Sequence, residues 1–176
     1  MLADRFPRCV GHVLLITRDH CPSHMSVKRD RLGEFQAGVN LVSRFLHHCF
    51  GSAAFYENGG KRQDVPHAHL HGLPFEPRIE ECWVSAGWLT PTDNWRGARR
   101  EWKEQGHYFY VETGGQGYLI RKYRKSLGAI RRQLVEQTGA RVDPNRQRML
   151  RCGPETVRET QELWRQWMNG VDAAPP

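Results

Sequence analysis

The sequence lacks long apolar runs, paired cysteine motifs and internal repeats. None of its apolar runs is long enough to cross a bilayer, and the short N-terminal run, interrupted by His12, is not typical of a signal peptide. The five cysteines are odd in number and widely spaced, which argues against a disulfide framework or a structural zinc site. These absences predict a cytoplasmic protein with reduced thiols and no membrane partner.

The length of the chain predicts one domain. Its 176 residues, with a mean hydropathy of −0.69, are enough to build a hydrophobic core beneath a polar surface. We predict a single domain over residues 1–176. Within it we expect a core motif region at 9–76, a C-terminal extension at 77–170 and a frayed tail at 171–176.

Positive charge is concentrated in the second half of the chain. The formal net charge is +7, and the segment from Arg96 to Arg151 contains 14 Lys and Arg against 5 Asp and Glu. Such a surface attracts the phosphates of nucleotides or of nucleic acid, although a solvated basic face without a ligand has the same composition. Arg121 is the candidate phosphate-binding residue in this segment.

Hydrophobic spacing predicts helices mixed with strands. Apolar residues three and four apart predict an amphipathic helix from Leu32 to Cys49, ended by Gly51. Two strands joined by "TGGQG" predict a hairpin near residues 107–121. Further elements are predicted as strands in 9–17, 53–57 and 67–73 and as helices in 126–139 and 153–170. This mixture without regular βαβ units favours an α+β fold with an antiparallel sheet.

Three histidines alternate in the stretch "VPHAHLHGLP", Val65 to Pro74. In a strand, His67, His69 and His71 would line one face while the residues between them face the core. Three imidazoles on one face suit a zinc or iron site, since imidazole is a common metal ligand. Ordinary surface histidines would give the same pattern.

The stretch resembles the motif of the histidine triad superfamily, in which three histidines alternate with apolar residues and Pro often follows. Gly72 replaces one of the apolar residues. Upstream, "GHVLLITRDH" is similar to the family's strand and turn, and the helix, "FYENGG" and the triad follow in the family's order. The resemblance covers Gly11 to Pro74, and beyond it the chain is loosely similar to bacterial diadenosine-polyphosphate hydrolases. It implies a HIT-like α+β fold: an antiparallel sheet with a long helix on one face and a C-terminal helical extension.

The resemblance also implies an activity. Similar proteins cleave a phosphoanhydride or phosphoramidate bond at the α-phosphorus of a nucleoside 5′-phosphate, here with a purine nucleotide as the expected substrate. His69 would attack and form a nucleotidyl-histidine, His71 would protonate the leaving group, and His67 would orient the nucleophile. His12 would reach the same phosphate from the neighbouring strand. No metal or other cofactor is expected, and similar proteins are often homodimers.

The strand before the triad departs from the family, which usually has an amide side chain where this chain has Glu57-Asn58. Glu57 would repel a phosphate that it faced; if it turns away, Asn58 or Gln63 would donate to the substrate. Only ten residues precede Gly11, so the nucleoside pocket must be built differently, come from a partner subunit, or be missing through an early truncation of the chain.

Three alternatives stay open beside the hydrolase. A nucleotidyl transferase or phosphorylase would need only another acceptor in place of water. A protein that processes nucleic-acid ends would account for the basic second half, although no zinc-finger spacing or RNP-like aromatic motif supports it. A histidine-based metal enzyme would lose its activity with a chelator.

Overall fold

The structure, a computed structural model, describes residues 1–60, 63, 65–121, 133, 136, 142–143, 148–149 and 153–172. The strands in these residues are β1 Leu2–Ala3, β2 Val13–Ile16, β3 Ala54–Gly60, β4 His69–Leu73, β5 Leu89–Thr92, β6 His107–Thr113, β7 Gln116–Ile120, β8 Val142–Asp143 and β9 Arg148–Met149. The α-helices are α1 Leu32–Phe50, α2 Glu81–Ser85, α3 Asn94–Gln105 and α4 Pro154–Asp172. None of the helices in this part of the chain is long and apolar enough to cross a membrane.

Seven strands form one antiparallel sheet in the order β1-β2-β4-β3-β6-β7-β5. The short pair β8 and β9 stands apart from it. The sheet together with its helices confirms the predicted α+β class. Strand β4, which carries two of the three alternating histidines, lies between β2 and β3.

The two faces of the sheet are covered differently. One face, called the back face below, packs against α1, α3 and α4 through a core that includes Phe45, Leu70, Trp95 and Trp167. The opposite face, the front face, carries His69 and His71. Away from the histidines, the front face packs against Trp83 of α2 in a second hydrophobic cluster. The long helix and the C-terminal helix expected from the sequence therefore share the back face, and the histidines lie on the other side.

Helix α1 forms because its apolar residues recur on one side, as the spacing predicted. Phe35, Val39, Val42 and Phe45 are all buried in the back-face core. The helix ends at Gly51, which has φ +81° and whose N–H donates to the His47 carbonyl at 2.9 Å. A left-handed residue at this position favours glycine, because it carries no Cβ.

Gly72 fits a close contact between α1 and β4. A Cβ at this position would lie 3.0 Å from Val13 Cγ2 and from Val42 Cγ1. The departure from the apolar residue expected in the triad motif therefore lets the helix approach the strand closely.

The segment after Pro77 extends the same sheet. The predicted hairpin is confirmed as β6 and β7, with Thr113 paired to Gln116 across Gly114 and Gly115. Both glycines have positive φ, +55° and +73°, as a tight hairpin turn of this kind requires. Strand β6 pairs with β3 over six residue pairs, so that the extension completes the sheet of the motif region.

Several predicted boundaries were wrong. Strand β2 begins only at Val13, because Gly11 turns the chain with φ +84°. Strand β3 continues to Gly60, beyond the predicted range 53–57, because pairing with β6 extends it. Strand β4 begins at His69, and His67 lies in the bend before it.

Helix α3 was not predicted at all. Its apolar residues Trp95, Ala98 and Trp102 have helical spacing, but Gly97 and six charged residues obscure the pattern. Gly97 is required by packing, since a Cβ would lie 1.5 Å from Thr92 Oγ1. In the C-terminal part, the helix predicted at 126–139 lies outside the described residues except for Gln133 and Glu136, both helical. Helix α4 includes residues 171 and 172 of the predicted tail, and 173–176 lie outside the description.

Candidate active site

The sheet brings His69 and His71 together on the front face between two other strands. Leu14 and Ile16 of β2 pair with His71 and His69, and Tyr56 of β3 pairs with His71 on the other side. The two imidazole rings are in edge contact, with their centroids 5.2 Å apart. Alternation along β4 therefore places these two histidines as the sequence predicted.

A main-chain hydrogen bond sets the tautomer of His69. Its Nδ1–H donates to the carbonyl of His67 at 2.7 Å. The carbonyl can only accept, so Nδ1 carries the proton and the neutral ring keeps a lone pair on Nε2. The half-buried His69 side chain thus presents a nucleophilic nitrogen.

The tautomers of His12 and His71 follow from a second main-chain contact. The N–H of Arg8 donates to Nδ1 of His12 at 3.2 Å, so the proton of a neutral His12 is on Nε2. That Nε2–H donates to Nδ1 of His71 at 2.9 Å. Neutral His71 therefore carries its own proton on Nε2, the nitrogen left for a substrate.

Both of these imidazoles are neutral at pH 7. Burial lowers the pKa of His12 from 6.5 to about 4, although the Asp4 carboxylate opposes part of this shift. Burial, together with the imidazoles of His12 and His69, holds the pKa of His71 well below its ordinary value. A phosphate bound against His71 would favour its protonated form.

His12 lies behind His71 and not beside it. Its side chain is 1% exposed, and its Nε2 is engaged with His71. The structure thus supports a role for His12 in holding His71, whereas the sequence suggested direct contact with a phosphate.

Two neighbours of His71 were missed by the sequence analysis. Tyr56 stacks on its ring, with centroids 4.1 Å apart and planes at 5°. The Oδ2 atom of Asp4 lies 3.4 Å from His12 Nε2 and 3.8 Å from His71 Nδ1. Tyr56 could have been found from its place one residue before Glu57-Asn58, on the same face of β3 as the amide. Asp4 belongs to no local pattern and is brought in only by the pairing of β1 with β2.

His67 acts through its main chain. Its imidazole Nε2–H donates to the carbonyl of Thr17 at 2.8 Å, and the Thr17 hydroxyl lies 3.2 Å from the same nitrogen. This bond keeps its ring in the bend before β4, while its carbonyl holds His69. The carbonyl of His67 thus orients the His69 ring, while the ring of His67 bonds to Thr17.

The predicted substrate-binding residues have different surroundings. Asn58 shares the front face with Tyr56 and follows it by two residues on β3, beyond the last residue pair of β3 and β4. Gln63 donates through Nε2 to the Pro22 carbonyl and so holds its own loop. Arg121 follows β7, which β3 and β6 separate from β4, and its guanidinium bonds to Glu101. Among the three, within the described residues, Asn58 is the one that shares a strand face with Tyr56, the pairing partner of His71.

Glu57 turns away from the front face. It is fully buried on the back face, where its carboxylate accepts bonds from the main-chain N–H and Nδ1 of His24, both at 3.0 Å, and from Tyr108. Burial opposes its ionisation, but the bonds and charge of His24 outweigh that effect, and the pKa of Glu57 lies below its ordinary value. Its charge therefore does not face a substrate phosphate.

A cation has one candidate set of ligands in the described part of the chain: Asp4, His12 and His71, whose donor atoms lie within 4.8 Å of one another. The two imidazole nitrogens of this set already point at each other in a hydrogen bond, so a shared ion would have to break it. The expected alternative, a site of His67, His69 and His71, is disfavoured because His67 bonds to Thr17 instead of converging with the others.

An apolar strip borders the two histidines. Leu14 and Ile16 lie beside them on β2, and Leu2 pairs with Leu14 on β1, so all three point to the front face. Leu2 is 52% exposed and Ile16 is 37% exposed, which is unusual for such residues in a sheet. The strip offers a surface for a flat apolar group next to the imidazoles.

Comparison with known proteins agrees with this geometry. Residues 1–77 match the family model of the HIT domain, a range that contains His12, all three alternating histidines and Asn58. No curated protein matches the chain significantly.

Proposed function

Through its first 77 residues the chain belongs to the histidine triad superfamily, and from this premise we propose that it is a nucleotide hydrolase. The HIT domain supports a nucleotide-processing activity. We propose that the bond cleaved joins the α-phosphorus of a purine nucleoside 5′-phosphate to its leaving group, as a phosphoanhydride or phosphoramidate. The hydrogen bond from His69 Nδ1 to the His67 carbonyl carries this proposal.

His69 is the proposed nucleophile. Its Nε2 lone pair attacks the α-phosphorus, a bond to phosphorus forms, and the bond to the leaving group breaks. Because Nδ1–H stays bonded to a carbonyl at 2.7 Å, the positive charge that develops on the ring is stabilised as it forms. Water then attacks the nucleotidyl-histidine and releases the nucleotide, which divides one difficult displacement into two easier ones.

His71 is the proposed acid for the leaving group. The Nε2–H of this ring faces the departing oxygen or nitrogen, because its Nδ1 lies against His12. The proton is transferred from the imidazolium form, which a bound phosphate favours, and the ring returns to neutral imidazole. Contact with a phosphate raises the tendency of this buried ring to be protonated, so that it can also balance charge on the transferring group. Tyr56, stacked on it, limits the rotation of the ring.

Two neighbouring features support a nucleotide as the substrate. Asn58, on the same face of β3 as Tyr56, can donate its amide N–H to a phosphate oxygen, the role expected for an amide on this strand. The exposed strip of Leu2, Leu14 and Ile16 can pack against a nucleobase beside the imidazoles. We propose that this strip forms part of the nucleoside site.

The test is to capture the covalent intermediate. The protein is incubated with adenosine and guanosine 5′-phosphoramidates and with dinucleoside polyphosphates, and intact mass is recorded early in turnover. We expect an added mass of one nucleoside monophosphate in the wild type. In His69→Ala we expect no adduct and a loss of turnover of at least about a thousandfold. His47→Ala, an exposed histidine of α1, is the matched control and should keep both.

The same experiment separates the alternatives. Undiminished turnover in His69→Ala would contradict the proposal, and loss of wild-type turnover with a chelator would favour a metal enzyme. Added inorganic phosphate that ends up in a nucleoside diphosphate product would identify a phosphorylase. Turnover confined to adenylated DNA ends would identify the nucleic-acid alternative.

Location and assembly stay predictions. The four cysteines in the described part of the chain, Cys9, Cys21, Cys49 and Cys82, are free thiols, as expected of a cytoplasmic protein. A homodimer is expected from the resemblance alone, and sedimentation at micromolar concentration would test it.

A further inference from the structure

A residue of the C-terminal helix contacts the turn that carries His12. The main-chain N–H of Gly11 donates to the Thr160 hydroxyl oxygen at 2.9 Å, across 149 residues of sequence. Thr160 is 1% exposed and lies on α4, outside the matched range 1–77. We propose that Thr160 is a positioning residue for the active site. This inference rests on the proposed function above.

The orientation of the Thr160 hydroxyl is determined within α4. Its O–H donates to the carbonyl of Thr156 at 2.8 Å, one turn earlier in the helix. The hydroxyl proton is therefore engaged, and a lone pair is directed at Gly11. A threonine at this buried site satisfies a main-chain donor that would otherwise have no partner.

Gly11 has little room to move. It has φ +84°, and a Cβ there would lie 2.6 Å from the ring of Phe50 at the end of α1. The turn is therefore held between Phe50 of α1 on one side and Thr160 of α4 on the other. Because Gly11 directly precedes His12, a shift of this turn moves the imidazole that follows.

The contacts continue from this turn into the site. The His12 N–H donates to the Cys9 carbonyl at 3.3 Å, and the Arg8 N–H sets the tautomer of the His12 ring at 3.2 Å. The ring then donates to His71 at 2.9 Å. Thr160 thus acts through Gly11 and His12 on the proton of His71, without touching the substrate.

The proposal predicts a selective loss of rate. Thr160→Val keeps the shape of the side chain but removes the oxygen that accepts from Gly11. We expect kcat to fall about tenfold while KM changes less than twofold, since small misplacements of catalytic groups are costly and the substrate contacts remain. Thr160→Ser restores the hydroxyl and should recover most of kcat.

The matched control is Thr156→Val, the same atom change at a buried position one turn earlier in α4 that keeps the carbonyl bonded to Thr160. Thr156→Val should keep the wild-type kcat, although its melting temperature should fall by about as much as that of Thr160→Val. A Thr160→Val enzyme with wild-type kcat, or with a loss matched by Thr156→Val, would overturn the proposal.

A measurement without substrate separates this inference from the proposed function. Nitrogen-15 spectra of the histidine rings report which nitrogen carries the proton. We expect a pure Nε2–H form of His12 in the wild type and a mixed or shifted signal for His12 and His71 in Thr160→Val. If the wild type turns over no nucleotide, the proposed function fails and these spectra decide alone: unchanged ring signals in Thr160→Val overturn the inference.

Discussion

At the scale of single residues, His12 links the chemistry of the site to the stability of the fold. It is buried as a neutral ring whose pKa is lowered from 6.5 to about 4. The unfolded chain therefore binds a proton between these two values that the native protein does not bind. Stability contributed by the neutral ring is complete above pH 6.5 and is lost as the pH falls toward 4.

This shift predicts a pH dependence of unfolding. Between pH 6.5 and 4, His12 alone should lower the free energy of unfolding by about 1.4 kcal/mol per pH unit, about 3 kcal/mol in total. In His12→Gln this part of the slope should disappear, because the new side chain does not titrate. Urea unfolding of both proteins at pH 7.0, 5.5 and 4.5 measures the difference.

The control for this prediction is His48→Gln, an exposed histidine near the end of α1, which should leave the slope nearly unchanged. The charged groups around His12, namely Asp4 and Arg8, are the same in all three proteins. Because the His12 imidazole also helps to lower the pKa of His71, the lost slope reports the buried pair of rings. Equal slopes for the wild type and His12→Gln would show that the buried ring does not titrate as described.

At the scale of elements, the contact between α1 and β4 positions the histidines against the core. Gly72 allows this contact, since a Cβ there would meet Val13 and Val42 at 3.0 Å. Gly72→Ala should lower the free energy of unfolding by about 1–3 kcal/mol, because the extra methyl group must push α1 from the strand. Chemical denaturation at pH 7.5 measures it.

Gly33→Ala is the matched control in α1, because a Cβ at this position would have no neighbour within 4 Å. It should change stability little or raise it by up to about 1 kcal/mol, because alanine favours helix over glycine. Similar destabilisation by both substitutions would mean that helix propensity, and not the α1–β4 contact, explains the effect of Gly72.

The sequence predicted those elements whose apolar spacing or turn residues form a clear local pattern. The apolar spacing of α1 and of α4 and the Gly114-Gly115 turn are strong local signals, and the structure has all three. The sequence did not predict helix α3, because the buried side of this helix is narrow and is interrupted by Gly97, which packing against Thr92 requires. The sequence did not predict the full length of β3, because pairing with β6, which is distant in the chain, extends this strand.

At the scale of the whole molecule, the matched HIT domain is not a complete sheet by itself. Strand β3 pairs with β6 along six residue pairs, and α4 covers part of the back-face core through Trp167. A fragment of residues 1–77 would expose both the edge of β3 and the apolar face left by α4. We therefore predict that this fragment does not fold cooperatively.

Circular dichroism during heating and proton NMR dispersion test the prediction, with the chain shortened to residues 1–172 as the folded control. The control keeps every strand and helix of the sheet and its back face. A sharp unfolding transition and dispersed spectra from residues 1–77 alone would contradict it.

The sequence by itself determined the alternation that sets His69 and His71 on one face, the helix α1 and the family to which they point. These features are local, because strand and helix periods place neighbouring side chains wherever the element lies. Only the tertiary structure decided that Glu57 turns to His24, that Asp4 reaches His12 and His71, and that Thr160 reaches Gly11. Those contacts join residues far apart in the chain, and packing and strand pairing, which no local pattern encodes, bring them together.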